Sequence, residues 1–251
     1  MYNKTDLKNK LESIHRKSYP AYKSLRGSYT FGDFVLSIDH VQGDPFAAPS
    51  SLHVELPLAK AGFPEKYFEG RHTKTALEDL ILRKFSRALD QYSFKAKGSG
   101  KSGLISTSRP GPEVMRRTAV EFTEKLLIVR FEVGFPANGR TINAQELEKI
   151  LLDFLPQIVK KCLYYQAWDK RLVQEGFELA ENQQKIREVL EERKLVAFCA
   201  NGSILPRKSG VSSQPLKDAV AFESPKSMEL AIDLPFGGSI FGMGIPEGVT
   251  L

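Results

Sequence analysis

Residues 117–135 read RTAVEFTEKLLIVRFEVGF. Apolar, β-branched and aromatic side chains alternate with polar ones on both sides of Glu124-Lys125. This alternation over short runs is typical of half-buried strands, and a polar pair between two such runs indicates a tight hairpin. We therefore expect strands over 117–124 and 126–135, joined at Glu124-Lys125.

The sequence predicts further strands, and also helices, on both sides of this hairpin. The alternation predicts a long strand over 28–40, bent at Gly32-Asp33, and strands over 51–57, 104–107, 195–198, 228–234 and 239–251. Apolar residues at helical spacing predict helices over 3–17, 74–92 and 169–193, with a polar, basic loop over 201–217. Asn143, with Glu146 three residues later, is typical of a capping box that opens a helix.

The order of these elements predicts an α+β fold rather than a regular βαβ series. Mixed or antiparallel strands cluster at both ends of the chain, with a helical segment between them. The length of 251 residues allows one large domain or two small ones. We expect a basic α+β domain over 1–110, followed over 111–251 by the hairpin, a helical segment and the start of a second domain.

Several classes of protein are excluded by the sequence. No apolar run reaches the length of a membrane span, and Met1 is not followed by the apolar run of a secretory signal. Cys162 and Cys199 lie far apart, without metal-ligand spacing, which favours a reducing cytoplasm. The sequence therefore predicts a cytoplasmic protein without a membrane partner.

Positive charge is concentrated in three segments. Residues 1–30 carry seven Lys/Arg against two acidic residues, and 93–118 carry six against one. Residues 201–217 carry three Lys/Arg and no acidic residue. The three segments sum to +13 in a chain of net charge +6, so the remainder is −7. Such asymmetry indicates either a surface for a polyanion or solvated charge on flexible loops.

The glycine-rich loop at 95–103 invites comparison with a phosphate-binding loop. A Walker A loop requires Gly-x-x-x-x-Gly-Lys-Ser/Thr between a buried strand and a helix. Here Lys95 occupies the first glycine position, the loop follows a helix, and Pro110 prevents a helix soon after it. We expect Lys101 not to be a Walker lysine, although flexible amides and lysines could bind the phosphates of a polymer.

Acidic and histidine residues give weaker signals. Asp39-His40 and Asp44 lie within six residues, as in a metal or acid-base site, but no further ligands follow at metal spacing. A strand end followed by a turn is the favoured interpretation. The sequence predicts neither a catalytic residue nor a metal ligand within this chain.

Blocks distributed along nearly the whole chain resemble the bacterial family of predicted ATPases of the ABC class. They are residues 26–34, 38–47, 98–105, 109–111, 200–207 and 242–251. The resemblance implies an N-terminal region of a larger ATPase, in which residues 111–251 include the start of an ABC-type nucleotide-binding domain. The Walker A loop would follow Leu251, and the signature and Walker B motifs would come later still. It also implies ATP and Mg²⁺ as cofactors of the full-length protein, a C-terminal ATPase half, a homodimer, and RNA binding through a basic groove or pore.

The leading hypothesis joins this resemblance to the charge distribution: the chain binds RNA or another single-stranded nucleic acid. The candidate phosphate-binding residues are Arg26, Lys95, Lys97, Lys101, Arg109, Arg116, Arg117, Arg207 and Lys208. Tyr92 and Phe94 interleave with the basic run and are candidates for base stacking.

Two alternatives remain open. The chain would contribute part of an ATP site completed by a C-terminal half or a partner chain, or it would be a dimerisation or adaptor module without preference for polyanions. All three hypotheses predict no ATP hydrolysis by the isolated chain.

Overall fold

The computed structural model describes residues 2–248. The strands are β1 (Tyr2–Asn3), β2 (Gly27–Thr30), β3 (Val35–His40), β4 (Ser50–Pro57), β5 (Ile105–Ser106), β6 (Val120–Phe122), β7 (Leu126–Val133), β8 (Ala137–Asn138), β9 (Thr141–Ile142), β10 (Leu195–Ala200), β11 (Arg207–Ser209), β12 (Ser212–Pro215), β13 (Glu229–Asp233) and β14 (Ser239–Pro246). The helices are α1 (Lys4–Ile14), α2 (Leu58–Ala61), α3 (Arg71–Asp90), α4 (Ala144–Glu148), α5 (Leu155–Cys162) and α6 (Lys170–Glu192), with a π-helical turn, Lys149–Phe154, between α4 and α5.

These elements confirm the α+β fold. Within residues 2–248, β1 to β7 form one sheet of seven strands, here called the main sheet, in the order β1-β2-β3-β4-β7-β5, with β6 also paired to β7. The pairing of β4 with β7 is antiparallel and unbroken from Ser50↔Val133 to Pro57↔Leu126. A second sheet has the order β10-β14-β13.

The main sheet has one apolar and one polar face. In β4, Leu52, Val54 and Leu56 are buried, whereas the intervening Ser51, His53 and Glu55 are only partly buried. Helix α3 packs on the apolar face, where the rings of Phe85 and Phe131 lie 5.9 Å apart in an edge-to-face arrangement. The period-two alternation of the sequence thus selects the face that meets the helices.

The prediction of a single bent strand over 28–40 is wrong. The chain turns back after Thr30, which pairs with Val35, so β2 and β3 form a hairpin. Gly32 adopts φ +77°, a left-handed conformation that glycine enters without steric cost, and Phe31 N–H donates to the carbonyl of Phe34 at 2.8 Å. The turn residues recognised in the sequence therefore reverse the chain instead of bending it.

Two further expectations are corrected. The capping box at Asn143 and Glu146 is absent, because the Asn143 side chain makes no capping bond and the Glu146 carboxylate instead accepts the Lys97 N–H at 2.9 Å. The polar loop expected over 201–217 contains the hairpin β11–β12, with Arg207 paired to Pro215 and Ser209 to Ser212. Strands this short and polar leave no detectable periodicity in the sequence.

Other expectations concern boundaries. The closing strand expected over 239–251 is confirmed over Ser239–Pro246, and 249–251 lie outside the described residues. The domain division at residue 110 stays a prediction, although the main sheet includes strands from both sides of it. Across residues 2–248, no helix is both long and apolar enough to cross a membrane.

A cluster of ion pairs around the buried Asp79 attaches the long connection between β5 and β6 to helix α3. Asp79, only 2% exposed, accepts from Arg83 Nε at 2.5 Å and from an Arg117 guanidinium nitrogen at 2.7 Å. The neighbouring Glu78 accepts the Phe122 N–H at 2.9 Å, and its burial raises the pKa of that carboxyl above its usual range. Because both carboxylates are buried, their partners are held firmly in place.

Substitution of Asp79 tests this cluster. We expect Asp79→Ala to lower the free energy of unfolding by about 3–5 kcal/mol, because Arg117 and Arg83 would lose their buried partner. Urea unfolding followed by circular dichroism measures the change. Asp90→Ala is the matched control, because Asp90 pairs with Arg109 at an exposed site and should cost less than about 1 kcal/mol. Equal losses in the two variants would contradict the structural role of Asp79.

Candidate nucleic-acid interface

The glycine-rich loop 95–103 is docked at the end of the main sheet by backbone hydrogen bonds. Ser99 N–H donates to the carbonyl of Ala137 at 2.7 Å, and Lys101 N–H donates to the carbonyl of Pro45 at 2.8 Å. Gly100 has φ +61°, and a Cβ there would lie 2.6 Å from the Pro45 carbonyl oxygen. Glycine is therefore required where the loop approaches this neighbouring backbone.

The geometry of this loop differs from that of a phosphate-binding P-loop. It follows helix α3 and leads into strand β5 rather than into a helix. Ser102 N–H donates to the Ser99 carbonyl at 3.1 Å, and Gly103 N–H to the Gly134 carbonyl at 2.9 Å. Most of the loop amides therefore already have partners and are not the flexible donors that a polymer contact would use. The lysine side chains are the charged groups of the loop that could meet an anion.

Glu146 anchors the loop from the side of helix α4. Its carboxylate accepts the Lys97 N–H and is also bonded by the Lys149 ammonium group. Burial alone would raise the pKa of this carboxyl, but the bonds from Lys149 and Lys97 and their positive charges together lower it. The anchor is therefore complete above the ordinary pKa of glutamate and is lost only as the pH falls through the lower folded value.

A second basic segment meets the same region through the hairpin β8–β9. Arg16 N–H donates to the Ile142 carbonyl at 3.1 Å, and Ile142 N–H donates to the Lys17 carbonyl at 2.9 Å. On the other side, Gly139 N–H donates to the Ser99 hydroxyl at 2.9 Å. The hairpin thus lies between residues 15–19 and the glycine-rich loop, and it brings two of the three basic segments together.

Five cationic residues lie on the segments that these hydrogen bonds join: Arg16, Lys17, Lys97, Lys101 and Arg140. We call this set the basic surface. Arg16, Lys17 and Lys97 are exposed, and Lys101 is partly buried. Arg140 is 82% exposed and lies 3.0 Å from Asp44, a pairing that is weak at such an exposed site. Lys95 lies beside this set, with its ammonium group 4.7 Å from the centre of the Tyr92 ring.

The other candidate residues lie elsewhere. Arg109 pairs with Asp90 of α3 at 2.6 Å, Arg116 lies 3.8 Å from Glu121, and Arg117 is bonded to the buried Asp79. Arg117 is only 18% exposed, and its donors are used within the fold. We therefore omit Arg117 from the proposed interface.

Arg26, Arg207 and Lys208 have exposed side chains outside the basic surface. Arg26 follows the 3-10 helix Tyr19–Leu25, whereas Arg207 and Lys208 belong to strand β11. The third basic segment pairs with itself in the hairpin β11–β12. These three residues stay predictions as phosphate contacts.

The two aromatic candidates differ in availability. Tyr92 packs against Phe154, with ring centres 5.0 Å apart, and its hydroxyl donates to Gln157 at 3.1 Å. Its ring is thereby engaged within the fold. Phe94 is 54% exposed, so it remains available for stacking on a base.

Three residues of the basic surface, Arg16, Lys17 and Arg140, are not singled out by the sequence. Arg16 and Lys17 belong to the segment 1–30, whose positive charge was the available signal. Arg140 follows Asn138-Gly139, a typical hairpin turn, but no charge cluster surrounds it in the sequence. Its position follows from the pairing of β8 with β9.

Among residues 2–248, no three His, Cys, Asp or Glu side chains are grouped so that they could hold an ion. The contact of Asp44 with Arg140 and the hydrogen bond from Phe46 N–H to Asp44 at 3.0 Å give that carboxylate a turn-forming role.

Comparison with known protein families gives two matches. Residues 4–166 match the family described as ATPase of the ABC class, N-terminal, and residues 169–251 match the P-loop domain of ABC ATPases. None of the curated proteins compared with the chain matched it. The resemblance drawn from the sequence is confirmed, and the second match shows that the chain contains P-loop domain sequence over 169–251.

The second match separates the glycine-rich loop from the P-loop domain. Residues 95–103 lie wholly within the first match, and 169–251 contain no Gly-x-x-x-x-Gly-Lys-Ser/Thr run. Lys101 is thus placed in the N-terminal part of the family.

Substitution of Glu146 tests the loop anchor. We expect Glu146→Ala to speed tryptic cleavage after Lys97 and Lys101 about tenfold at pH 8, because one charge-assisted hydrogen bond holding the loop closed is lost. Mass spectrometry of timed digests measures the rate. Glu148→Ala, in the same helix, removes an ion pair with Lys8 and should leave that rate unchanged. Equal acceleration in both variants would contradict the anchor.

Hydrolysis assays test the assignment of Lys101. We expect the 251-residue chain, supplied with ATP and Mg²⁺, to release phosphate no faster than a protein-free blank, because most of the loop amides are bonded within the fold. A coupled phosphate assay measures this rate. Turnover that disappears in Lys101→Ala but persists in Lys97→Ala would show that the loop does act on ATP.

Proposed function

Since the chain belongs to the family of ABC-class ATPases, we propose that it binds RNA or another single-stranded nucleic acid through the basic surface. The observation that carries this proposal is the position of hairpin β8–β9 between residues 15–19 and the glycine-rich loop. Each of these two segments comes from a part of the chain with a charge excess of +5, seven basic against two acidic residues in 1–30 and six against one in 93–118.

The available groups suit contacts with a polymer backbone. Phosphate contacts require positive charge and hydrogen-bond donors, but not the fixed cradle of amides that a bound nucleotide requires. Lys97 and Arg16 are exposed, and the loop that carries Lys97 is fixed by Glu146. A fixed loop loses less conformational entropy on binding than a mobile one.

The match of residues 169–251 to the P-loop domain supports ATP as a ligand. We propose that ATP and Mg²⁺ bind at a site to which this segment contributes, together with a C-terminal ATPase half or a second copy of the chain. A homodimer would place two basic surfaces on one nucleic acid. ATP-dependent closure of the dimer would change their affinity for it. The unpaired cysteines Cys162 and Cys199 fit a reducing compartment, so we propose the cytoplasm as the location.

Salt dependence tests the nucleic-acid hypothesis. If the five cations of the basic surface each neutralise a phosphate, log affinity for a single strand should fall against log salt with a slope of about −3.5. The Lys97→Ala/Lys101→Ala double variant should reduce that slope by about 1.4, since two contacts are removed. Fluorescence anisotropy of a labelled oligonucleotide across a salt series measures both.

A matched double variant controls for overall charge. Lys185→Ala/Arg187→Ala removes the same charge from helix α6 and should leave the slope nearly unchanged. An undetectable affinity at low salt, or equal slopes for the two double variants, would refute the proposed surface.

A further inference from the structure

A polar cleft of about 430 Å³ opens on the polar face of the main sheet. It lies where β3 ends and β4 begins, and its floor contains a row of aligned residues. Ser51 pairs with Glu132 across β4 and β7, and Glu132 pairs with Ser106 across β7 and β5. Because directly paired residues project to the same face of a sheet, these three side chains lie side by side.

Two carboxylates, Asp39 and Glu132, and one cation, Arg130, line the cleft. The Arg130 guanidinium is already bonded to the Thr118 carbonyl and to the Glu121 carboxylate, so the two carboxylates determine which ligand chemistry the cleft accepts. Asp39 is held by the His53 ring, whose Nδ1 lies 2.7 Å from Oδ2, and Glu132 is exposed and forms no ion pair within residues 2–248. Ionised carboxylates only accept hydrogen bonds, so they repel a phosphate and attract a hydroxyl donor.

The remaining lining is rich in hydroxyl groups. Ser51, Ser106, Ser108 and Thr118 line the cleft, and a hydroxyl both donates and accepts. This combination fits a neutral group that carries several hydroxyls, such as a sugar.

The cleft adjoins the glycine-rich loop. Gly103 N–H donates to the carbonyl of Gly134 at 2.9 Å, and Gly134 N–H donates to the carbonyl of Leu104 at 2.8 Å, so the loop continues directly into the pairing of β5 with β7. Glu132 precedes Gly134 by two residues, or about 7 Å along an extended strand. A polymer whose phosphates contact Lys101 therefore has its neighbouring sugars within reach of this cleft.

We infer that the cleft receives ribose of a bound RNA strand, with Glu132 and Asp39 accepting hydrogen bonds from 2′-hydroxyl groups. This inference rests on the proposed function and adds a choice of sugar to it. Deoxyribose lacks the 2′-hydroxyl donor, so the same phosphate contacts would hold DNA less tightly.

The test compares three labelled oligonucleotides of one sequence: RNA, DNA and 2′-O-methyl RNA. We expect the chain to bind RNA about tenfold more tightly than the other two, a ratio that one charge-assisted hydrogen bond supplies. The 2′-O-methyl strand retains the RNA sugar framework but has lost the donor. Anisotropy titrations at one fixed salt concentration give the three dissociation constants.

The Glu132→Ala variant separates the ribose inference from a simple charge effect, because the two predict opposite changes in RNA affinity. Removing a negative charge near a bound polyanion should tighten binding of every oligonucleotide, whereas the inference predicts weaker binding of RNA and an RNA:DNA ratio near one. Glu124→Ala removes the same charge at the β6–β7 turn and should preserve the ratio. Asp39→Asn provides a second variant, with the ratio again expected to fall.

The outcomes separate the two proposals. Equal affinities for RNA and DNA, or an unchanged ratio in Glu132→Ala and Asp39→Asn, would overturn the ribose inference and leave phosphate binding intact. Binding of none of the three strands would refute the proposed function as well.

Discussion

The antiparallel pairing of β4 with β7 is the constraint on which the rest of the structure depends. Its unbroken register over eight residue pairs places Leu52, Val54 and Leu56 against the helices and turns Ser51, His53 and Glu55 to the other face. A slip of one residue would exchange the two faces, so burial of the apolar side chains fixes the register. The end of β7 at Val133 then determines where the glycine-rich loop meets the sheet.

The glycine-rich loop combines a backbone whose amides are mostly bonded with charged side chains that remain accessible. Most of its amides are bonded to Pro45, Ala137 and Gly134, or within the loop itself, which fixes its path. With most of its amides committed in this way, the loop does not form the cradle of free amides that a bound nucleotide requires, whereas Lys97 and Lys101 keep charged side chains. The same glycines that suggest a nucleotide site in the sequence serve close backbone packing here.

The sequence predicted elements whose signal is local and strong. The β6–β7 hairpin, α3 and α6 form close to where their periodicity placed them, because each buries one face and that face determines the spacing of apolar residues. The sequence-based predictions failed where one local pattern is compatible with two structures. Gly32-Asp33 is compatible with a bend or with a reversal, and Glu146 with a cap or with a distant amide partner. Only the neighbouring strand or loop decides between them.

The amino-acid sequence alone determined the α+β class, the family, and the presence of three basic segments with an acidic remainder, because these follow from local pattern and composition. Tertiary structure decided which charges lie together: it joined Arg16 and Lys17 to the lysines of the glycine-rich loop through β8–β9, and it paired Arg117 with the buried Asp79. Residues far apart in the chain become neighbours only when hydrogen bonds and apolar burial fix their segments in space. A count of charges along the chain carries no information about those contacts.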